Sequence, residues 1–166
     1  MFGLGARTDV CPPNSGVRPM KFDDASWHSE SAWAEGSPVE FGGTHIGLFL
    51  RWCFVKGWSS DLHTSEEPAD IQAVVDGTLS GTDFLFKHCD GKLTNEDFDS
   101  EGPLFAESYY GDEGLYLGDY TKHFGSLMYV APELAHDFNF FSMVLEARLL
   151  SGILTKPQVK PWWQLW

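Results

Sequence analysis

Apolar residues recur at helical spacing along several short stretches of this chain, and one stretch is apolar on nearly every face. Ile46, Phe49, Leu50 and Cys53 form one stripe there, and Leu48, Trp52, Phe54 and Val55 fill the opposite side. The pattern predicts a helix over 44–57, N-capped by Thr44 and stopped by Gly57. Lacking a polar face, it belongs at the buried centre of the domain. A second helix is expected from Ser65, with Glu66 and Glu67 at the positive end of its macrodipole and Pro68 in its first turn. Ile71, Val74, Val75 and Leu79 are its buried stripe. Thr82–Cys89 reads as a short helix carrying Phe84, Leu85 and Phe86, ended by the Asp90-Gly91 turn. Thr94-Asn95-Glu96-Asp97 has the form of a capping box, and a helix follows from Glu101 to Tyr110 with Leu104, Phe105 and Tyr109 inward.

Elsewhere the pattern is weaker. Residues 1–20 hold scattered glycines and prolines without a hydrophobic period and read as an extended arm. Lys21–Trp33 is polar with three large aromatics, an irregular segment laid on the core. Leu115–Tyr120 and Leu127–Val130 suit short strands, since aromatics and valine favour pleated, half-buried surfaces. Pro132 precedes a helix carrying Leu134, Phe138, Phe141, Leu145 and Leu149 and ending near Gly152. The tail over 153–166, with Trp162, Trp163 and Trp166, either folds back over the core or forms an exposed patch. The expected fold is mainly α, an α+β arrangement with a small β element. It forms a single compact domain over 21–152 around the buried central helix 44–57.

Composition agrees with a folded chain: 166 residues, 43% of them hydrophobic and 15% aromatic, exceed what disordered segments carry. The net charge of −13 argues against direct nucleic-acid binding and against an anionic membrane surface, both of which call for Lys and Arg. It favours a basic protein partner, because long-range attraction speeds encounter. Cys11, Cys53 and Cys89, an odd and dispersed set, read as reduced thiols of a cytoplasmic protein. No signal peptide is evident, and the nearly apolar run from Ile46 to Val55 is about half of a bilayer span.

Catalytic and metal motifs are sparse. His28, His45, His63, His88, His123 and His136 include no HExxH and no pair three or four apart, and CxxC is missing. Sequence spacing therefore signals no metal, although a cluster assembled in space stays open. Asp97-Phe98-Asp99-Ser100-Glu101-Gly102 imitates the opening of an EF-hand loop, but position twelve falls on Ser108, so the stretch reads as an acidic loop with a helix cap. Neither GxSxG nor a Gly-rich phosphate loop is present, and no cofactor is expected. Asp23, Asp24, His28 and His45 remain as candidates for an acid/base site, on condition that they converge within hydrogen-bonding reach.

The charge distribution is more telling. Between Asp90 and Asp119 nine carboxylates face a single lysine, Lys92, with Tyr109, Tyr110, Tyr116 and Tyr120 interleaved. Either this is a solvated acidic face, or it is an interface in which aromatics supply contact area and acids supply steering. In the interface reading the partner-binding residues are Asp97, Asp99, Glu101, Asp112, Glu113 and Asp119, with Tyr109, Tyr110 and Tyr116 as anchors.

KFDDASWH at Lys21–His28, THIGLFLRW at Thr44–Trp52, HCDGKL at His88–Leu93 and FAESYY at Phe105–Tyr110 resemble an uncharacterised family of small acidic bacterial proteins. Its members are similar to antidotes encoded beside polymorphic or type VI secretion toxins. The resemblance implies an immunity protein that binds and neutralises a cognate toxin, most fittingly a type VI secreted nuclease, and it brings no catalytic set. A nuclease carries basic surface for phosphate, which an acidic antidote can occupy. The alternative is a small enzyme using Asp23, Asp24, His28 and His45.

Overall fold

The computed structural model describes residues 19–125 and 135–157. Residues 1–18 of the expected arm over 1–20, the strand at Leu127–Val130, Leu134 and the tail tryptophans lie outside them. The described chain begins as strand β1 (Lys21–Asp24) and turns directly into helix α1 (Ala25–Ala34). Asp24 starts that helix, its carboxylate accepting from the Ser26 backbone at 3.0 Å and from the Ser26 hydroxyl at 2.6 Å. The expectation of an irregular segment at Lys21–Trp33 is thereby corrected. Helix α1 escaped the periodicity because only Ala25 and Ala32 are buried on it, while Trp27 and Trp33 face solvent.

A 3₁₀ turn (Val39–Gly43) leads into α2 (Thr44–Val55), so Gly43 rather than Thr44 occupies the cap position. The expected enclosure is found: every residue from Thr44 to Phe54 is buried. Gly57 stops the chain in the left-handed region at φ +76. Next come α3 (Asp61–Glu66) and α4 (Pro68–Asp76) where one helix from Ser65 was expected. Pro68 keeps the preceding residue out of the helical region, and Glu67 sits at φ −124, ψ 44, so two short helices meet there. Val74 is fully buried, with Ile71, Val75 and Leu79 packed partly against the core.

Helix α5 (Gly81–His88), capped by Ser80, lies close against α2. The two backbones touch: a Cβ on Gly47 would stand 2.3 Å from the Thr82 nitrogen, and one on Gly81 2.0 Å from the Gly47 carbonyl oxygen. Strand β2 (Lys92–Thr94) pairs antiparallel with β1, with a bulge between Lys21 and Asp23. The expected capping box closes on Thr94 and Asp97.

The segment from Glu101 to Tyr110 divides into α6 (Gly102–Phe105) and a π turn (Ala106–Tyr110), whose wider winding buries the adjacent Tyr109 and Tyr110 together. Leu104, expected inward, is 70% exposed. Leu115–Tyr120 is not a strand: α7 spans Tyr116–His123, and Tyr116 and Tyr120, four apart, share its buried face. Helix α8 (Ala135–Ser151) buries Phe138, Phe141 and Leu145. It is tied to α7 by a two-pronged Arg148–Asp119 pair at 2.7 and 2.8 Å, and to α2 by Lys56–Glu146 at 3.0 Å. The fold is mainly α with one small antiparallel sheet. Phe49 is at the middle of its aromatic core, with Phe98, Phe105, Tyr109, Tyr110 and Tyr116 around it. No helix among the described residues is long and apolar enough to cross a membrane.

The α2–α5 contact makes a direct prediction. Gly47→Ala forces a methyl group against the Thr82 backbone and costs about 1–3 kcal/mol, or about 2–4 °C in Tm for each kcal/mol. Calorimetry on Gly47→Ala beside Gly57→Ala separates this clash from backbone strain, since a Cβ at Gly57 meets nothing within 4 Å. A Tm for Gly47→Ala equal to that of the parent would contradict the packing.

Candidate functional site

Asp23, at the end of β1, is the focus of a buried cluster. Four donors converge on its carboxylate. Oδ1 accepts from the Asp24 backbone N–H at 2.7 Å and faces His28 Nε2 at 2.7 Å. Oδ2 faces His45 Nε2 at 3.2 Å and accepts from the Tyr110 hydroxyl at 2.5 Å. The local sequence explains the convergence. The bulge in β1 and the cap at Asp24 place two successive acids in the interior, and His28 follows one turn into α1. Gly42 lets the chain pass close beneath α1, where a Cβ would stand 3.2 Å from that of His28, and this sets His45 in the first turn of α2 next to it. The His28 and His45 rings meet edge to face at 4.6 Å.

The electrostatics follow from the geometry. Burial opposes ionisation of Asp23, but hydrogen bonds from His28 and His45, the charge interaction with His45 and the Tyr110 hydroxyl outweigh it and hold the carboxyl far below its usual range. Burial lowers the pKa of His45, and the hydrogen bond and charge of Asp23 oppose that shift. Burial, then the Asp23 charge, pushes the Tyr110 hydroxyl up, so it stays a donor. The side chain of His45 is fully enclosed, whereas that of His28 is 18% exposed. Asp23, His28 and Tyr110 line a cleft of about 290 Å³, with Trp27, Asp112, Leu117 and Lys156 along it. An ionised carboxylate behind a partly exposed imidazole can polarise that ring as a base or offer two nitrogens and an oxygen to a cation. A larger cavity of about 780 Å³ between α7 and α8 contains His123, Lys122 and Asp119, but Asp119 is already held by Arg148.

A second cluster joins α3, α4, α5 and the capping box. His63 has Asp97 Oδ1 at 3.0 Å from Nε2 and Glu67 Oε2 at 3.3 Å from Nδ1, and Cys89 Sγ lies 3.8 Å from Nε2. His88 continues the chain of contacts to Asp70 at 2.6 Å. Burial, followed by the charge of Asp97, pushes the Cys89 thiol up, so it is no ready nucleophile. No sequence spacing marks this cluster, because its members come from separate elements.

The residues expected to bind a partner divide. Tyr109, Tyr110 and Tyr116 are in the core, exposed by 0%, 5% and 0%, and the expectation that they anchor an interface is corrected. Their hydroxyls bind inward, to Asp119, Asp23 and the His45 carbonyl. Tyrosines alternating with acids here mark an aromatic interior below an acidic rim. Asp97 is buried between His63 and the Thr94 backbone, and Asp119 is clamped by Arg148 and Tyr109, so neither is a docking group. Asp99 accepts from the Asp61 backbone at 2.6 Å and is half-buried. Glu101, Asp112 and Glu113 are exposed as expected. Of the acid/base candidates, Asp23, His28 and His45 converge, while Asp24 caps α1 and pairs with Lys21 at 2.9 Å.

A mainly α domain with a buried Asp-His-His cluster under a cleft is thus the class that fold and site define. The chain belongs to the family described as Domain of unknown function (DUF7832), which it matches over residues 21–133. That span includes the whole Asp23 cluster and the His63 cluster. No curated protein and no solved structure matches the chain.

The His63 cluster makes stability depend on pH. Burial alone disfavours the imidazolium, but the hydrogen bond and charge of Asp97, then those of Glu67, outweigh it, so the folded pKa lies above 6.5. A raised folded value stabilises fully below the unfolded pKa and loses that stabilisation as pH rises through the folded one. The stability difference between the parent and His63→Gln, read from urea melts between about pH 6 and 9, should therefore shrink as pH rises. A difference independent of pH would mean that His63 is not charged in the fold.

Proposed function

We propose that this chain is an immunity-type binding protein that holds and blocks a basic cognate toxin, best fitted by a secreted nuclease, in the cytoplasm of the producing cell. One observation supports the reading most. Glu96, Glu101, Glu107, Asp112 and Glu113 are exposed, and their carboxylates make no ion pair among the described residues. An acidic stretch engaged in the fold would have its cations within the chain, whereas this one keeps its charge available to a partner. The buried tyrosines cannot anchor a partner, and the apolar contact area on this stretch comes from Leu104, 70% exposed between Glu101 and Glu107. Such a protein works by binding and needs no catalytic residue.

The direct test is co-expression with the product of the adjacent gene, scored by growth and by a purified stoichiometric complex. Reversal of Glu101, Glu107 and Glu113 to Lys should slow association on the order of tenfold at low salt, and the effect should shrink as ionic strength rises. The melting temperature should stay unchanged, because these side chains are exposed and make no hydrogen bond or ion pair among the described residues. On-rates indifferent to the reversal would remove the acidic stretch from the interface.

A second reading, a small enzyme at Asp23, His28 and His45, is favoured by the convergence of these three side chains beneath the cleft. His28→Ala, which should leave the melting temperature within a few degrees, would abolish any turnover found in a hydrolase screen of the parent. Turnover surviving in that variant would sink the reading.

A further inference from the structure

We propose that Asp23, His28 and His45 bind a single divalent transition-metal ion of the zinc class, with its open coordination position towards the cleft. The inference shares residues with the second functional reading but does not require turnover, and it is separate from toxin neutralisation. Its basis is donor chemistry, spacing, rigidity and access.

Two imidazole nitrogens and one carboxylate oxygen are the donor set of zinc, iron, cobalt and nickel sites, in contrast to the all-oxygen cages of calcium and magnesium. The three ligand atoms lie within 4.8 Å of one another. Zinc bonds of about 2.0–2.2 Å in a tetrahedron separate ligand atoms by roughly 3.3 Å. The present contacts, 2.7 Å from His28 Nε2 to Asp23 Oδ1 and 3.2 Å from His45 Nε2 to Asp23 Oδ2, fall on the two oxygens of one carboxylate, so admitting the ion takes a small turn of that carboxylate together with shifts of about 1 Å in the rings. On binding, the ion replaces both imidazole–carboxylate hydrogen bonds: each neutral ring takes the tautomer with its proton on Nδ1 so that Nε2 donates its lone pair, and a ring protonated on both nitrogens releases one proton to solvent.

The ligands stand on regular elements: Asp23 on β1, His28 on α1 and His45 in the first turn of α2. Asp23 is further oriented by the Asp24 N–H at 2.7 Å and the Tyr110 hydroxyl at 2.5 Å, the kind of outer support that ligating carboxylates carry. Three protein ligands leave a fourth position free, and Asp23 and His28 both border the cleft of about 290 Å³. A water or a substrate oxygen fits there. The His63–Cys89–Asp97 group offers ligand atoms within the same 4.8 Å. However, both ring nitrogens of His63 already face carboxylates, and the other oxygen of Asp97 closes the capping box. That group therefore serves as the internal control.

The experiment uses the full chain stripped with EDTA, titrated with Zn²⁺ by calorimetry and with Co²⁺ by visible absorption. One equivalent per chain and the intense d–d bands of low-coordinate cobalt are expected, together with a melting temperature that rises with Zn²⁺. His28→Ala should weaken binding by about 100-fold or more. Its partly exposed position keeps the variant folded, which circular dichroism checks, and His28→Gln provides a second variant. Cys89→Ser should bind as the parent does. Three results would overturn the site: no binding tighter than millimolar, unchanged affinity in both His28 variants, or binding lost in Cys89→Ser and kept in His28→Ala.

Discussion

A helix without a polar face has to be covered on every side, and that requirement organises this chain. Helix α2 is buried from Thr44 to Phe54, so the other elements form a shell around it. Helix α5 closes one side at backbone distance, and α4 packs beside it. Phe98, Phe105 and the tyrosines of the π turn and α7 gather around Phe49. Arg51 reaches out to lay its guanidinium over Phe138 at 3.8 Å, and Lys56 pairs with Glu146, so α8 is held from the same helix.

Covering the first turn of α2 encloses His45, and an enclosed imidazole needs a polar partner. Asp23 supplies it, and that buried carboxylate in turn draws donors from α1 and the π turn. The Asp-His-His cluster is thus a consequence of how the central helix is capped off, and at the same time it borders a cleft. Nearby, Tyr116 donates to the His45 carbonyl, which ties α7 to the same turn. The elements that cover the helix are the elements that aim the site.

The sequence made the helix spacing legible wherever a stripe of large apolar residues faced the core, as in α2, α5 and α8. It failed where burial was carried by small residues or by unusual winding. Helix α1 turns only Ala25 and Ala32 inward, so its aromatics pointed to the wrong face. Tyr109 and Tyr110 are adjacent and both buried in the π turn, so they do not follow the three-to-four-residue stripe that marks an amphipathic helix. Strand propensity assigns Tyr116 and Tyr120 to a sheet, whereas their four-residue spacing matches the helix that forms. Asp23, His28 and His45 were recognisable as candidates by residue type, but their convergence depends on a bulge and a glycine crossing that have no pattern signature. The His63 cluster draws on four separate elements and was invisible for that reason.

The backbone contact between Gly47 and Gly81 has a consequence for how such a chain can change over time. Where main chain meets main chain, a new side chain has nowhere to go, so the inner helices tolerate little drift. The exposed acids from Glu96 to Glu113 lie on the far side of that restriction, since exchanging them disturbs no packing. A lineage built on this interior can therefore revise its acidic surface residue by residue while its architecture stays the same.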